Sequence, residues 1–348
     1  MYKSSSDLTD FDKLSSLSSS GLSPEQIKVG IEQGYSLSRG LNLLDKNKNK
    51  MGVVYTTTNG LRVNYITGNT VIRYTFNSSG PNNIIGLHKV DVTNVTTSTL
   101  DSIPLENTYY SVFTATSGIT PASMVVSSTT EGINGTPIYT GGWNTKANGD
   151  PSIELVSTTL RIDDVDVTND GNISMLNVYK VEYETINNIA GEGIDRYVLQ
   201  ERTKYTIIDG IIEITTTLTA IESVIISQYQ GLQTQSTNGG WDDTILFRGS
   251  EYPRMYFLDD LNSGDKYNSP VNSVSQRGEY ELESWIDNSV GLGRREYVQD
   301  SRPNVYTNFD ERKVYHNLVD GIYLSLLRNE TATWSGGMRV RLTDSNRI

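Results

Sequence analysis

The sequence predicts an all-β protein: a large antiparallel β-sandwich region, built as one large or two consecutive sandwiches, behind a short α-helical N-terminal segment. Three observations carry this. From Met51 onward apolar residues recur with a period of two in short runs. Asn-Gly, Gly-Asn and Asp-Gly pairs fall between those runs at hairpin spacing. Turn signals return about every 8–12 residues with no strand–helix alternation, which argues for antiparallel sheets and against parallel βαβ units.

Residues 1–50 read differently. Leu8, Phe11, Leu14 and Leu17 recur every third position, as in a short amphipathic helix. Ser23, Pro24 and Gln26 then supply an N-cap, a proline at the first helical position and a capping-box partner, so a helix is expected from Pro24 to about Leu44. Its seam holds Ile27, Gly30, Ile31, Gly34 and Leu41. Interior glycines cost roughly 1 kcal/mol each in helix propensity, so this helix needs a partner that approaches closely at the glycines. Those five residues are the expected assembly contact; the alternative is a helix packed on its own β region. The polar run 45–50 reads as a linker.

The β region, 51–348, is subdivided in expectation at 51–175 and 176–348. Val53 to Thr57, Leu61 to Ile66 and Val71 to Phe76 form a meander, followed by runs at Ile84 to Val95, Tyr109 to Thr116, Ile153 to Ile162 and Ile173 to Tyr183. The central stretch, Asn177 to Gln233, has the longest run of strand signal. Within it Asp209-Gly210 joins two β-branched runs, where a type I′ turn requires positive φ at both central residues. Ser223 to Gln230 carries apolar residues on both faces and reads as a buried strand that ends near Tyr229. Further on, Thr244 to Phe247, Arg254 to Leu258, Glu279 to Ile286 and Met338 to Leu342 read as strands, and Asp320-Gly321 as a second hairpin turn.

Composition bounds the function. The chain of 348 residues has no cysteine and two histidines. Thiolate metal sites, disulfides and cysteine nucleophiles are therefore excluded. His88 and His316 both fall mid-strand without metal-ligand spacing, so no metal and no cofactor is expected. A net charge of −12 opposes binding to a phosphate backbone, and nucleic acid is not an expected partner. The first residues have no apolar core of a leader, and no stretch is apolar enough for a membrane span.

The sequence singles out no catalytic residue, although several groups have suitable chemistry. Asp242-Asp243, Asp259-Asp260 and Glu279/Glu281/Glu283 could pair as the acid and base of a glycosidase, but the glutamate row alternates like a solvated strand face. Asp163-Asp164-Val165-Asp166 with Asp170-Gly171 has the composition of a calcium loop without its spacing. Arg294, Arg295 and Arg302 with Tyr297 and Tyr306 could serve a uronate lyase. The ligand-binding candidates are instead aromatic. Trp143 and Trp241 stand in flexible polar loops beside Asn144 and Asp242, and Tyr229 is expected just past a strand exit. Rings presented at a loop end can stack on a sugar while Asp242 takes its hydroxyls.

The helical N-terminal segment before a cysteine-free, Thr/Asn/Gly/Tyr-rich β chain resembles tailed-bacteriophage virion structural proteins: fibre, tailspike or baseplate-associated subunits. The resemblance implies a virion component assembled in the host cytoplasm. It further implies a homo-oligomer, trimer or higher, joined to other virion proteins through the N-terminal helices and facing host glycan with its β region. The alternative class is a glycan-active β-sandwich enzyme, a polysaccharide lyase or glycoside hydrolase.

Overall fold

The computed structural model describes residues 51–56, 60–94, 110–114, 123–133, 137–141, 144–146, 148–235, 244–247, 250–253, 271–277, 280–308 and 313–342. The expected helices and the contact residues Ile27, Gly30, Ile31, Gly34 and Leu41 lie outside these, as do Trp143, Trp241, Asp242 and the run Arg254 to Leu258.

The described strands, in chain order, begin with β1 (Met51–Thr56), β2 (Gly60–Thr67), β3 (Thr70–Ser79), β4 (Ile84–Asn94), β5 (Tyr110–Thr114) and β6 (Ser123–Ser128). Then come β7 (Ile153–Ile162), β8 (Val165–Asp166), β9 (Ile173–Val178), β10 (Lys180–Ala190), β11 (Tyr197–Ile208), β12 (Ile211–Ala220) and β13 (Val224–Gln235). The last are β14 (Thr244–Phe247), β15 (Ser250–Pro253), β16 (Val271–Arg277), β17 (Tyr280–Asp287), β18 (Tyr297–Val298), β19 (Val305–Asn308), β20 (Lys313–Leu326) and β21 (Thr331–Leu342). One 3₁₀ turn, Gly291–Arg294, precedes β18.

The strands form three sheets. A ten-stranded sheet runs β15-β14-β16-β17-β21-β12-β11-β10-β7-β8, a six-stranded sheet β5-β4-β3-β2-β1-β9, and a five-stranded one β18-β20-β13-β6 with β19 added beside β20. All pairings are antiparallel except that of β18 with β20. This is the all-β, antiparallel sandwich expected from the period of two.

Alternation along β11 explains the layering. Glu201, Thr203, Tyr205 and Ile207 are buried while Arg202 is exposed, so one face of the large sheet is covered and the other is wet. The covered face meets both smaller sheets. Phe76 of β3 packs edge-on against Tyr183 and Tyr205, at 5.7 and 5.1 Å between ring centres. Tyr229 of β13 donates to Glu201, and Trp334 of β21 donates to Tyr229. One continuous core therefore runs from Met51 to Val340, with a smaller cluster of Ile245, Phe247, Val274, Val305 and Val314. On the wet face, charges pair across strands: Arg202 with Glu184, and Arg339 and Arg341 with Glu283. Glu283 is thus part of a solvated strand face.

The Asp209-Gly210 turn forms as expected, with φ of 51° and 73° at its two residues. Gly210 is required twice over, since a Cβ there would also lie 2.4 Å from the Tyr65 ring.

Three expectations need correction. The run Ile173 to Tyr183 is two strands: Asn177 adopts a left-handed φ of 60°, and the chain passes from the six-stranded sheet at β9 to the ten-stranded sheet at β10. The strand expected to end near Tyr229 continues to Gln235, because β20 pairs it that far while β6 flanks its other side as far as Gln230. Asp320-Gly321 is not a hairpin turn. It lies inside β20, where Val298 pairs with both residues and Gly321, at a φ of 84°, absorbs the extra residue of a bulge.

Candidate functional site

The bulge matters for the surface because it turns Asp320 outward. The registers join Gln228 to Asp320, Gln230 to Asn317, Gln233 to Tyr315, and Tyr315 to Tyr306. Directly opposed residues share a face, and so do residues two apart on one strand. These pairs differ in exposure: Gln228, Gln230, Tyr306 and Asp320 are half-buried, and Gln233, Tyr315 and Asn317 are buried. At one end Tyr306 stacks on Tyr315, with 5.4 Å between ring centres and 29° between planes. In the middle, Ser123 Oγ donates to Gln230 Oε1 at 3.1 Å. At the other end the Tyr139 phenol donates to Gln228 Oε1, beside Asp320.

Local backbone contacts build the Asp320 end. Gln299 N–H donates to the Asp320 carbonyl at 2.8 Å, and Arg302 N–H donates to the Gln299 carbonyl at 2.9 Å. This folds the segment back so that the Arg302 guanidinium stands 3.7 Å from the Asp320 carboxylate. Asp320 is held above the usual carboxylate range by burial, with Arg302 pulling the other way. Tyr139 is pushed up by burial, by the Asp320 charge and by Tyr306. Two coupled, perturbed groups on a half-exposed polar face mark a functional candidate on physical grounds.

Asp242-Asp243 and Asp259-Asp260 lie outside the described residues; the described histidine, aspartate and arginine candidates do not make sites. His316 is fully buried, with Ser284 Oγ 3.2 Å from its Nε2 and Arg295 Nη2 3.4 Å from its Nδ1. A guanidinium can only donate, so Nδ1 is the acceptor and the ring proton sits on Nε2, directed at Ser284. A ring in that state has no lone pair for the serine proton, and Ser284–His316 is no nucleophile–base pair. His88 is half-buried in β4, in a different sheet.

In the acidic loop, Lys180 Nζ bonds the Asp164 carboxylate, and Asp163 Oδ1 accepts from the backbone N–H groups of Tyr179 and Lys180. A lysine ammonium thus occupies the place the calcium reading would give to a metal. Among the described residues no group of three potential metal ligands converges.

The arginine–tyrosine set also disperses. Arg294 is exposed and bonds the Ser289 carbonyl, Arg295 is buried against His316, and Arg302 with Tyr306 belongs to the sheet face. Glu131 and Glu222 do converge, each 2.8 Å from Arg196. That cation holds Glu131 down at about 2 and Glu222 below its ordinary value, so neither keeps the proton a glycosidase acid needs.

Tyr229, expected at a loop end, is a core residue at 0% exposure, bonded to Glu201 and Trp334. Sequence reading missed Tyr139, Gln228 and Asp320. The signal available for them was the Asp-Gly pair itself, read as a turn when it also fits a bulge glycine.

Fold and face together define the class: an antiparallel β-sandwich presenting a polar, tyrosine-lined sheet face. Known proteins add the following. No family model matches the chain, and no curated protein matches it. Solved structures with some likeness include a galactose mutarotase-like protein from Clostridium acetobutylicum, at 8% identity, covering 81% of this chain and 96% of that one, with a TM-score of 0.34. A galactose mutarotase related enzyme from Lactobacillus acidophilus gives 10% identity, 81% and 98% coverage and a TM-score of 0.31. A GH36 alpha-galactosidase from Geobacillus stearothermophilus gives 10% identity and a TM-score of 0.39, over 81% of this chain and 40% of that one. At such scores the likeness carries no argument about residues or activity.

Proposed function

We propose that the protein contacts glycans through the outer face of its five-stranded sheet. One observation carries the reading: Tyr139 donates to Gln228, whose cross-strand neighbour Asp320 faces Arg302 at 3.7 Å, and the stacked Tyr306 and Tyr315 lie further along the same sheet. Amide and carboxylate oxygens with a guanidinium suit sugar hydroxyls, and tyrosine rings suit the apolar face of a pyranose. Asp320→Asn and Gln228→Ala should each weaken binding to glycans recovered from an array by at least about tenfold, or about 1.4 kcal/mol. Asp320→Asn should also raise stability at neutral pH, because a carboxyl whose folded pKa is raised loses stability as pH rises through that pKa. Variants that bind like the parent protein would remove the face from consideration.

A second reading, a glycan-active enzyme, is favoured by the raised pKa of Asp320, which suits a proton donor. It differs in requiring turnover. Cleavage of a bound glycan that stops in Asp320→Asn, with binding retained, would select it.

The virion role is proposed alongside, on the pattern of residues 1–50. On that reading those residues attach the protein to tail, fibre or baseplate neighbours, and the sheet face is the host contact. Removal of residues 1–50 should leave the strand circular-dichroism signature and melting of the β region unchanged while assembly is lost. A truncated protein that still assembles would exclude the attachment role.

A further inference from the structure

Tyr139 belongs to two features. Besides meeting Gln228 on the sheet face, it lines a cavity of about 130 Å³ between the 138–152 segment and the β10–β11 connection. Ile138, Ala190 and Ile194 give that cavity apolar surface, and Lys146, Asn148 and Asp195 give it polar groups.

The charged groups of the lining have partners within the protein. Lys146 Nζ lies 3.7 Å from the Asp195 carboxylate and donates to the Asp195 carbonyl at 3.3 Å. Glu192 is buried, and its two oxygens accept from Ser127 Oγ and from the Ile138 N–H, both at 2.9 Å. An anionic ligand would meet two carboxylates and one ammonium, in a protein whose net charge is already −12. A cationic one would meet the Lys146 ammonium, which lies 3.7 Å from the same Asp195 carboxylate. What fits is a neutral, amphipathic ring that lays an apolar face on Ile138, Ala190 and Ile194 and offers hydroxyls to Asn148 and Asp195. A cavity of about 130 Å³ has room for one ring and not for a second.

We propose that this cavity seats the uncharged terminal residue of a glycan whose following residues lie on the sheet face, the shared Tyr139 marking the junction. The proposal rests on the glycan reading above and names the part of the ligand that is recognised: a chain end.

The test is calorimetric titration of the intact protein. The probes are methyl glycosides of glucose, galactose, mannose and N-acetylglucosamine, trisaccharides ending in each, and methyl glucuronide. One neutral methyl glycoside should bind weakly and its trisaccharide more tightly. Thr145→Trp, which fills the cavity from its rim, and Asn148→Ala, which removes a polar contact, should each lower affinity for both probes at least tenfold at unchanged melting temperature. Gln228→Ala should spare the monosaccharide and weaken the trisaccharide. If the trisaccharide binds equally well to Thr145→Trp and Asn148→Ala, or methyl glucuronide binds more tightly than the neutral glycosides, the cavity assignment is overturned while the sheet-face reading stands. If no saccharide binds at all, the glycan reading fails and takes this inference with it.

Discussion

Replacing Trp334 by alanine should lower the free energy of unfolding by about 3–5 kcal/mol, the cost of emptying a large aromatic site in a close-packed core. Trp334 is fully buried on β21 and joins the two layers: its Nε1–H donates to the Tyr229 hydroxyl at 2.8 Å, and that hydroxyl donates to Glu201. Collapse around the cavity is restricted, because Gly231 already lets Leu318 and Trp334 close in on the backbone of β13. Trp334→Phe retains most of the ring and loses the N–H donor, so its cost should be smaller, about 1–2 kcal/mol. Equilibrium denaturation of both variants is the measurement. If Trp334→Ala cost no more than Trp334→Phe, the indole would not be the packing element between the sheets.

The second expectation concerns acid. His316, buried beside Arg295, is held well below its ordinary pKa, first by burial and then by the guanidinium. In the unfolded chain it takes a proton near the ordinary value of about 6.5. Above that pH neither state is protonated and the folded state keeps its full stability. Below it only the unfolded state gains the proton, so stability falls by about 1.4 kcal/mol per pH unit until the folded pKa is reached. His316→Gln keeps a donor for Ser284 and an acceptor for Arg295 without a titrating ring. The difference in stability between parent and His316→Gln, measured from about pH 7.5 to 5, should be flat above the histidine value and slope below it. A difference independent of pH would mean that His316 is not the neutral link between Ser284 and Arg295.

The sheet face imposes an opposite pH demand. Asp320 is raised, so its ionisation at neutral pH costs stability where the neutral state of His316 preserves it. A half-buried carboxyl retained at such a cost is what a binding or proton-donating role would explain, and this links the electrostatics of the fold to the proposed glycan contact.

Local steric rules were legible in the sequence by itself. Alternation from Met51 onward, the Asp209-Gly210 turn and the exposure of Glu283 each depend on a few neighbouring residues, whose conformational and solvation preferences act before any distant partner is chosen. The fold class followed from them. Tertiary structure decided which strand lies beside which, and with it the site. Ile173 to Tyr183 alternates like one strand, yet Asn177 bulges against β1 and the chain leaves for the second sheet after Val178, because each half has a different partner. Tyr229 resembles a strand exit in sequence, but β20 extends the pairing past it, and Glu201 and Trp334 of the facing sheet bury its ring. Asp-Gly at 320–321 has the composition of a turn and becomes a bulge because β13 and β18 flank the strand across it. Gln228 and Asp320 are far apart in the chain and meet only through register, and Tyr139 reaches them from a non-strand segment, which no local preference encodes. Register is set by the pairing of whole strands, and a residue's face, burial and charge environment are inherited from it.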